Sequence, residues 1–331
     1  MALTYLDLST TDPAFNLAAE EYVFDSLPRD RAYCMLWQND NAIIIGKHQN
    51  TLAEINQPFV EQRGIRVVRR LSVGGAVYHD LGNLNFTFIT DAGDTEELDF
   101  RLFCQPVVRA LARLGVKAEV NGRNDMTIEG QKFSGNSQYI REGRVMHHGT
   151  ILFDSDLSVV SQALQVDPAK IQAKGIQSIR SRVTNVRPHL PQDASLPQFR
   201  RFLLQEIVRE NGAEEYVFTA QDIAAIEELK RQRYGQWEWN YGASPACTLM
   251  RKRRFEGCGT VEVYLTVEKG LICDVSFRGD FFSARDPESL TPYLVGLRPD
   301  RQAYEAALQS VNTSYYFAGL DTAQFIDLLC E

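Results

Sequence analysis

The sequence predicts an α+β chain in two domains, and three observations predict it. Short apolar runs bounded by turn residues recur in pairs, the pattern of β-hairpins. Segments whose apolar residues recur at helical spacing stand between and after them. Composition then shifts at WEWNYGASPACTLMRKRR, near residues 240–250. At roughly 150 residues per domain, a chain of 331 residues exceeds one ordinary core. The boundary is placed near 245, with a first domain over 1–245 and a second over 246–331.

Each element has a local reason. Asp12 before Pro13 starts a helix, with a side-chain acceptor at the N-cap and a preset φ behind it. Phe15, Ala18, Ala19, Tyr22 and Val23 would form its inner side. The runs Ala32–Trp37 and Ala42–Ile45, separated by Asn39-Asp40-Asn41, read as a strand pair closed by a turn. A strand over 65–70 delivers two adjacent arginines into a glycine-containing segment. Residues 76–78 and 83–90 are further strands around Leu81-Gly82. Phe103, Val107, Val108, Leu111 and Leu114 mark a helix over 100–114, stopped by Gly115. Residues 117–153 return to strand character, with hairpin signals at Glu129-Gly130 and Glu142-Gly143. Asp156 opens a helix through Leu164. RPHLPQDASLPQ is a loop, followed by helices over 198–210 and 220–233. Beyond the boundary, 261–267 and 271–277 flank a turn at Glu268-Lys269-Gly270, and helices over 286–296 and 301–310 close the chain.

Composition narrows the class. With 44% hydrophobic and 24% charged residues the chain is an ordinary globular one, which excludes disorder, collagen and coiled coil. A net charge of -8 argues against a nucleic-acid partner, since such domains carry a basic excess. The N-terminus lacks a basic segment followed by an apolar one, so no signal peptide is expected. No uninterrupted apolar run is long enough to span a membrane. The six cysteines are scattered without a C-x-x-C pair, as reduced thiols of a cytoplasmic protein would be.

The chemistry concentrates in a few segments. In RRLSVGGAVYHDLGN (69–83), glycines at 74 and 75 let the backbone approach a ligand, and successive amides there can cradle an anion beside Arg69 and Arg70. The alternative is a tight turn with surface arginines. His79 and Asp80 are neighbours on a strand and point to opposite faces, so they do not form a dyad. In GRNDMTIEGQKFSG (122–135), Lys132 is either a solvated edge charge or a fixed cation for a phosphate or activated acyl group. His147 and His148 are adjacent, which puts one toward the core and the other toward a cavity, not both on one metal. The basic loop from Lys174 to Asn185 reads alone as solvated surface. RKRR at 251–254 reads as a solvated linker or as a patch that steers an acidic partner.

The order RRLSVGGAVYHDLGN, GRND, KFSGNSQ, HHGT, KGIQSIRSRVTN resembles the lipoate–protein ligase A family over most of residues 14–187, and more loosely through WEWNYG and the C-terminal hairpin. The resemblance implies a fold shared with biotin ligases and class II aminoacyl-tRNA synthetases: a mixed, largely antiparallel sheet with helices on one side, plus a small α/β accessory domain. It implies an ATP-dependent ligase that converts lipoate to lipoyl-adenylate and passes the lipoyl group to a lysine of apo lipoyl carrier domains, namely E2 subunits of 2-oxoacid dehydrogenases and the glycine cleavage H protein. A monomer is expected.

By the same resemblance, Lys132 is the central catalytic lysine, touching both the lipoyl carboxyl and the α-phosphate. Arg70, Gly75, Ala76, Val77, Tyr78, Asn83, Asn124, Asp125 and Lys174 would join it in binding ATP. Arg69, Ser72, Gly74 and His148 would line the lipoyl pocket. Mg2+ would come with the nucleotide, with Asp125 near its phosphates. The Lys174 loop would cover the intermediate and exclude water. One departure stands out: Val73 takes the place of the first of three consecutive glycines usual in the family, which bears on the choice between lipoate and octanoate.

Three rivals are weighed. A cysteine-dependent acyltransferase needs a thiolate near HHGT, and no cysteine lies between Cys104 and Cys247. A biotin ligase would carry a G-R-G-R-x-G phosphate loop, where RRLSVGG stands. An inactive binding scaffold is at odds with intact Lys132, Asp125 and Arg70.

Overall fold

A computed structural model describes residues 3–91, 100–121, 124–164, 183–244, 247–279, 281, 283 and 285–331. The chain packs as two compact units, Met1–Lys47 with Ile65–Gln236, and His48–Gly64 with Trp237–Glu331. Segment 48–64, grouped with the first domain on local composition, thus packs in the second unit. Its contacts are remote in sequence. Thr51 Oγ1 donates to the Asn240 carbonyl at 2.6 Å, Gln57 Nε2 donates to the Pro299 carbonyl at 3.0 Å, and Leu52 joins that unit's apolar core.

In the first unit, the strands are β1 (Leu3–Asp7), β2 (Ala32–Trp37), β3 (Ala42–Ile45), β4 (Arg66–Arg69), β5 (Val77–His79), β6 (Asn83–Asp91), β7 (Ala118–Asn121), β8 (Asp125–Ile128), β9 (Gln131–Arg141), β10 (Arg144–Leu152) and β11 (Glu214–Glu215). Among the described residues they form an eight-stranded sheet of order β11-β1-β2-β6-β10-β9-β8-β7 and a small sheet β4-β3-β5. β1 pairs in parallel with β2 and β11, and the rest of the large sheet is antiparallel. The mixed, largely antiparallel sheet is the expected one. The pairing of β2 with β3 is not: β2 lies in the large sheet beside β1 and β6, while β3 pairs with β4 and β5. Both runs are almost wholly buried, so neither shows the alternation that would have told which sheet it joins.

The hairpins fall where their turn residues lie. Glu129 and Gly130, and Glu142 and Gly143, all take positive φ, the two-residue turn whose twist suits antiparallel strands. Helix α1 (Pro13–Ser26) begins on Asp12, whose Oδ1 accepts from the Ala14 amide at 3.1 Å. It is buried nearly all round, Asn16, Glu20 and Glu21 included.

Helices α2 (Phe100–Arg113) and α3 (Leu196–Asn211) cover one face of the large sheet. Their Cys104, Val107, Leu111, Phe199 and Leu203 meet Leu84, Phe86 and Phe88 of β6, with Ile151 and Phe153. By alternation, Asn83, Asn85 and Thr87 of β6 look the other way. That second face positions the site.

The second unit holds β12 (Cys247–Phe255), β13 (Gly259–Glu268) and β14 (Leu271–Gly279), an antiparallel sheet whose core includes Val261, Val263 and Leu265 from alternate positions of β13. The helices Arg301–Leu308 and Thr322–Cys330 supply Leu308, Phe325 and Leu329 to that core. RKRR is therefore strand, not linker: Arg251 is buried, Lys252 pairs with Glu262 at 2.5 Å and Arg253 with Glu331. No helix of the described residues is long and apolar enough to cross a membrane.

Candidate active site

Trp37 of β2, Asn85 of β6, and His148 and Thr150 of β10 line a cavity of about 190 Å3 on the sheet face away from α2 and α3. Leu17 of α1, Ile44 and His79 of the small sheet and the segment 74–77 complete it, with Arg70, Asn124, Lys132, Gly135 and Asn136. A second cavity, about 140 Å3, is lined by Tyr78, Asn83, Ser134, Leu152, Leu157, Val160, Leu164 and Val183. Both linings include Ala76, Val77, Lys132, Gly135 and Thr150. Lys132 thus stands at the wall common to two chambers.

The loop after β4 is held by its own arginines. Arg70 Nε donates to Ser72 Oγ at 3.0 Å, Nη1 to the Ile44 carbonyl at 3.1 Å, and Nη2 to the carbonyls of Val73 and Gly75 at 3.0 Å each. Burial lowers Arg70 to about 10, against an upward pull from Glu20, and it stays charged at neutral pH. Gly74 has φ +112°, and a Cβ there would lie 2.9 Å from Arg70 Nη2, so glycine is required. Arg69 is fully buried and donates to the carbonyls of Gly46 and Lys47 at 2.9 and 3.1 Å. Arg69 and Ser72 are in neither lining, although both were read as pocket residues; they hold the loop from behind. Val73 is 52% exposed and also outside both linings; its carbonyl accepts from Ser137 Oγ at 2.6 Å.

A buried polar chain runs beneath the first cavity. Trp37 Nε1 donates to Thr87 Oγ1 at 2.9 Å, and Thr87 Oγ1 donates to Glu20 Oε1 at 2.5 Å. His148 Nδ1 lies 3.1 and 3.2 Å from the two Glu20 oxygens, and its Nε2 lies 2.6 Å from Ser72 Oγ. Nδ1–H donates to the Glu20 carboxylate, and Nε2 meets the Ser72 hydroxyl, which itself accepts from Arg70. Nothing in the sequence singled out Glu20, which sits beside Glu21 on a helix and looks like solvated surface.

His147 points to the opposite face, as adjacent strand residues must. It stacks on Phe103 at 4.9 Å, and burial pushes its imidazole down to about 3. Gln138 Nε2 donates to its Nδ1 at 3.0 Å, and Asn136 Oδ1 faces its Nε2 at 3.3 Å.

Lys132 Nζ is 2.6 Å from Asp125 Oδ1, with both side chains about two-fifths exposed (40% and 38%). A Cβ on Gly135 would lie 3.0 Å from Nζ, so the glycine leaves the ammonium its room. The Lys132 carbonyl accepts from the Thr184 amide at 2.9 Å. Asn124 Nδ2 donates to the Asn136 carbonyl at 2.9 Å and fixes β9 beside the cavity. Of the residues assigned to nucleotide, Tyr78 and Asn83 line the second chamber, Gly75 and Asn124 the first, and Ala76 and Val77 both. Arg70 lines the first, with Gly74 and His148. Asp125 reaches the site through Lys132, and Lys174 lies outside the described residues.

Residues 12–208 match the family model of the lipoyl protein ligase A/B catalytic domain, and residues 244–329 match that of the bacterial lipoate protein ligase C-terminus. The chain is 44% identical over 322 residues to lipoate-protein ligase LplJ of Bacillus subtilis, covering 96% of this chain and 97% of that one. A bipartite lipoate protein ligase solved in a study of it and its E2 lipoyl domain, from Thermoplasma acidophilum, aligns with TM-score 0.65 at 30% identity, over 73% of this chain and 97% of the other. A lipoate-protein ligase A bound with ATP aligns with TM-score 0.63 at 28% identity, over 73% and 100%.

Proposed function

The chain belongs to the lipoate–protein ligase family, and we propose from that premise that it activates lipoate with ATP and transfers the lipoyl group to a protein lysine. In the first step a lipoate carboxylate oxygen attacks the α-phosphorus of ATP. The new C(O)–O–P linkage is lipoyl-adenylate, and pyrophosphate leaves with the electrons of the broken P–O bond. In the second, the lysine ε-amine attacks the carbonyl carbon, AMP leaves with the C–O electrons, and the amine's proton passes to solvent. The acceptors are apo lipoyl carrier domains: E2 subunits, the class named with the T. acidophilum ligase, and the glycine cleavage H protein.

The observation that carries this reading is Lys132 at the wall shared by the two chambers. The lipoyl chain occupies the first, between Leu17, Trp37 and Ile44, and the nucleotide takes the second, along Tyr78 and Asn83. Two anions must approach, and an ammonium between them offsets their repulsion and the charge that develops during attack. Preorganised donors of this kind contribute on the order of 10²–10³ in rate. Asp125 holds the ammonium in place, and Arg70 holds the 73–75 backbone that borders the first chamber.

Magnesium would neutralise phosphate charge. Among the described residues, no three His, Cys, Asp or Glu side chains converge to hold a metal. The ion would therefore travel on the nucleotide phosphates, with Asp125 as the available carboxylate.

Cysteine-based acyl transfer finds no support here. Cys34 and Cys104 are buried in the core, burial pushes the Cys34 thiol up, and no cysteine lines either chamber. Lipoate-dependent exchange of labelled pyrophosphate into ATP tests the reading: no exchange with lipoate or octanoate would sink it.

A further inference from the structure

The reaction proposed above gives Thr150 no task, although it stands where the two chambers meet. Thr150 lies on β10, which β6 and β9 flank on either side, so this partly buried threonine shows its surface off the sheet face. Strand alternation puts its side chain on the face of His148 and Leu152. Of the two chambers, His148 lines only the first, Leu152 only the second, and Thr150 both. Along this strand Thr150 is therefore the crossing point. One step beyond the last paired residues of β9 and β10, Gly149 and Asn136, the Gly135 amide donates to Thr150 Oγ1 at 3.2 Å. That bond uses a lone pair and leaves the hydroxyl's own proton unspent, for among the described residues Thr150 Oγ1 donates to none. Gly135 also ties the hydroxyl to Lys132. A Cβ at Gly135 would lie 3.0 Å from Lys132 Nζ, so the ammonium and the hydroxyl flank one missing side chain.

We propose that Thr150 is a second catalytic donor, its hydroxyl donating to an oxygen of the C(O)–O–P group that forms beside Lys132. The inference rests on the ligase reading above. With the acid's chain in the first chamber and the nucleoside in the second, the linkage between them falls at the junction. A donor held there by a backbone amide meets charge that gathers only as carboxylate and α-phosphate join. Its bond therefore stabilises the transition state more than either separate substrate. Being neutral, the hydroxyl contributes less than the ammonium, about tenfold to a hundredfold in rate.

Thr150→Val in the full chain, which keeps the branched shape and removes the hydroxyl, tests it. Lipoate-dependent pyrophosphate exchange should fall about tenfold to a hundredfold in kcat, with both Michaelis constants within about twofold of wild type. In calorimetric titration, lipoyl-sulfamoyl-adenosine, whose sulfamate stands for the α-phosphate, should bind about tenfold more weakly, while lipoate alone and ATP alone keep their affinities. Thr150→Ser, which keeps the donor, should restore exchange to within about threefold. Undiminished exchange in folded Thr150→Val overturns the proposal. So does a loss that appears equally in the affinity for ATP or lipoate, because a displaced Gly135 disturbs the chamber walls and not the linkage alone. If Thr150→Val does not fold, Thr150→Ala, which admits a water to the Gly135 amide, decides on the same measures. Failure of both to fold makes Thr150 a part of the fold and overturns it too. Exchange by wild type with an unaffected variant removes the role of Thr150 alone, whereas no exchange by wild type removes the ligase reading with it.

Discussion

His148 Nδ1 stands 3.1 Å from Glu20 Oε1, and this contact ties helix α1 to strand β10 under the first chamber. Glu20 also receives the Thr87 hydroxyl, and the other ring nitrogen of His148 meets Ser72, the acceptor of Arg70 Nε. One carboxylate thus supports Trp37, His148 and, at one remove, the arginine that shapes the 73–75 backbone.

Glu20→Ala leaves the Thr87 hydroxyl and the His148 Nδ1–H without partners in a buried place. Each such group costs about 1–3 kcal/mol, so urea unfolding should show a loss of at least that size. The Michaelis constant for lipoate should rise with it, because His148 is no longer held. Wild-type stability in the variant would show that the buried chain supports nothing.

Lys132→Ala should lower lipoate-dependent pyrophosphate exchange by about 10²–10³. The side chain is 40% exposed, so unfolding free energy should stay within about 0.5 kcal/mol of wild type. Wild-type exchange by the folded variant would remove Lys132 from its role. Lys132→Arg is not expected to restore the rate, since a planar fork does not replace a compact ammonium in the space Gly135 leaves.

Much of this arrangement was legible in the chain, and the rest was hidden for physical reasons. The opposite facing of His147 and His148 follows from the two-residue period of a strand. Glu129-Gly130, Glu142-Gly143 and Lys269-Gly270 gave their turns because positive φ is a local property. The split of β2 and β3 between sheets was not local: runs buried on both faces carry no alternation. Segment 48–64 is bound to the second unit by contacts with partners almost two hundred residues away, as from Thr51 to Asn240. Glu20 carries no signal in the sequence yet lies buried under the first chamber, and Arg69, fully buried, donates to the Gly46 and Lys47 carbonyls.

Val73→Gly would restore three consecutive glycines. The Val73 side chain is exposed and outside both chambers, so lipoate and octanoate should keep their wild-type Michaelis constants within about twofold, since surface changes rarely exceed 0.5 kcal/mol. Gly74→Ala is the contrasting change: φ +112° and a Cβ 2.9 Å from Arg70 Nη2 should cost about 1–3 kcal/mol and displace the loop. A change in acid selectivity in Val73→Gly would place the pocket rim at residue 73 after all.

Asp222 gives a pH prediction away from the site. Tyr22 and Tyr216 donate to it at 2.5 and 2.8 Å, and the Thr219 amide and hydroxyl each donate at 2.8 Å. Burial alone would raise its pKa, but these donors outweigh burial and hold it at about 2, below the ordinary 3.8. A depressed carboxyl contributes stability that is complete above the unfolded value and is lost as pH falls through the folded one. The contribution is about 2 kcal/mol. Asp222→Asn should therefore be less stable than wild type by a constant amount above pH 5 in urea unfolding. The gap should narrow from about pH 4 toward pH 2, where the wild-type carboxyl takes up its proton. A gap that stays constant to pH 2 would mean that Asp222 acts through packing and not through its charge.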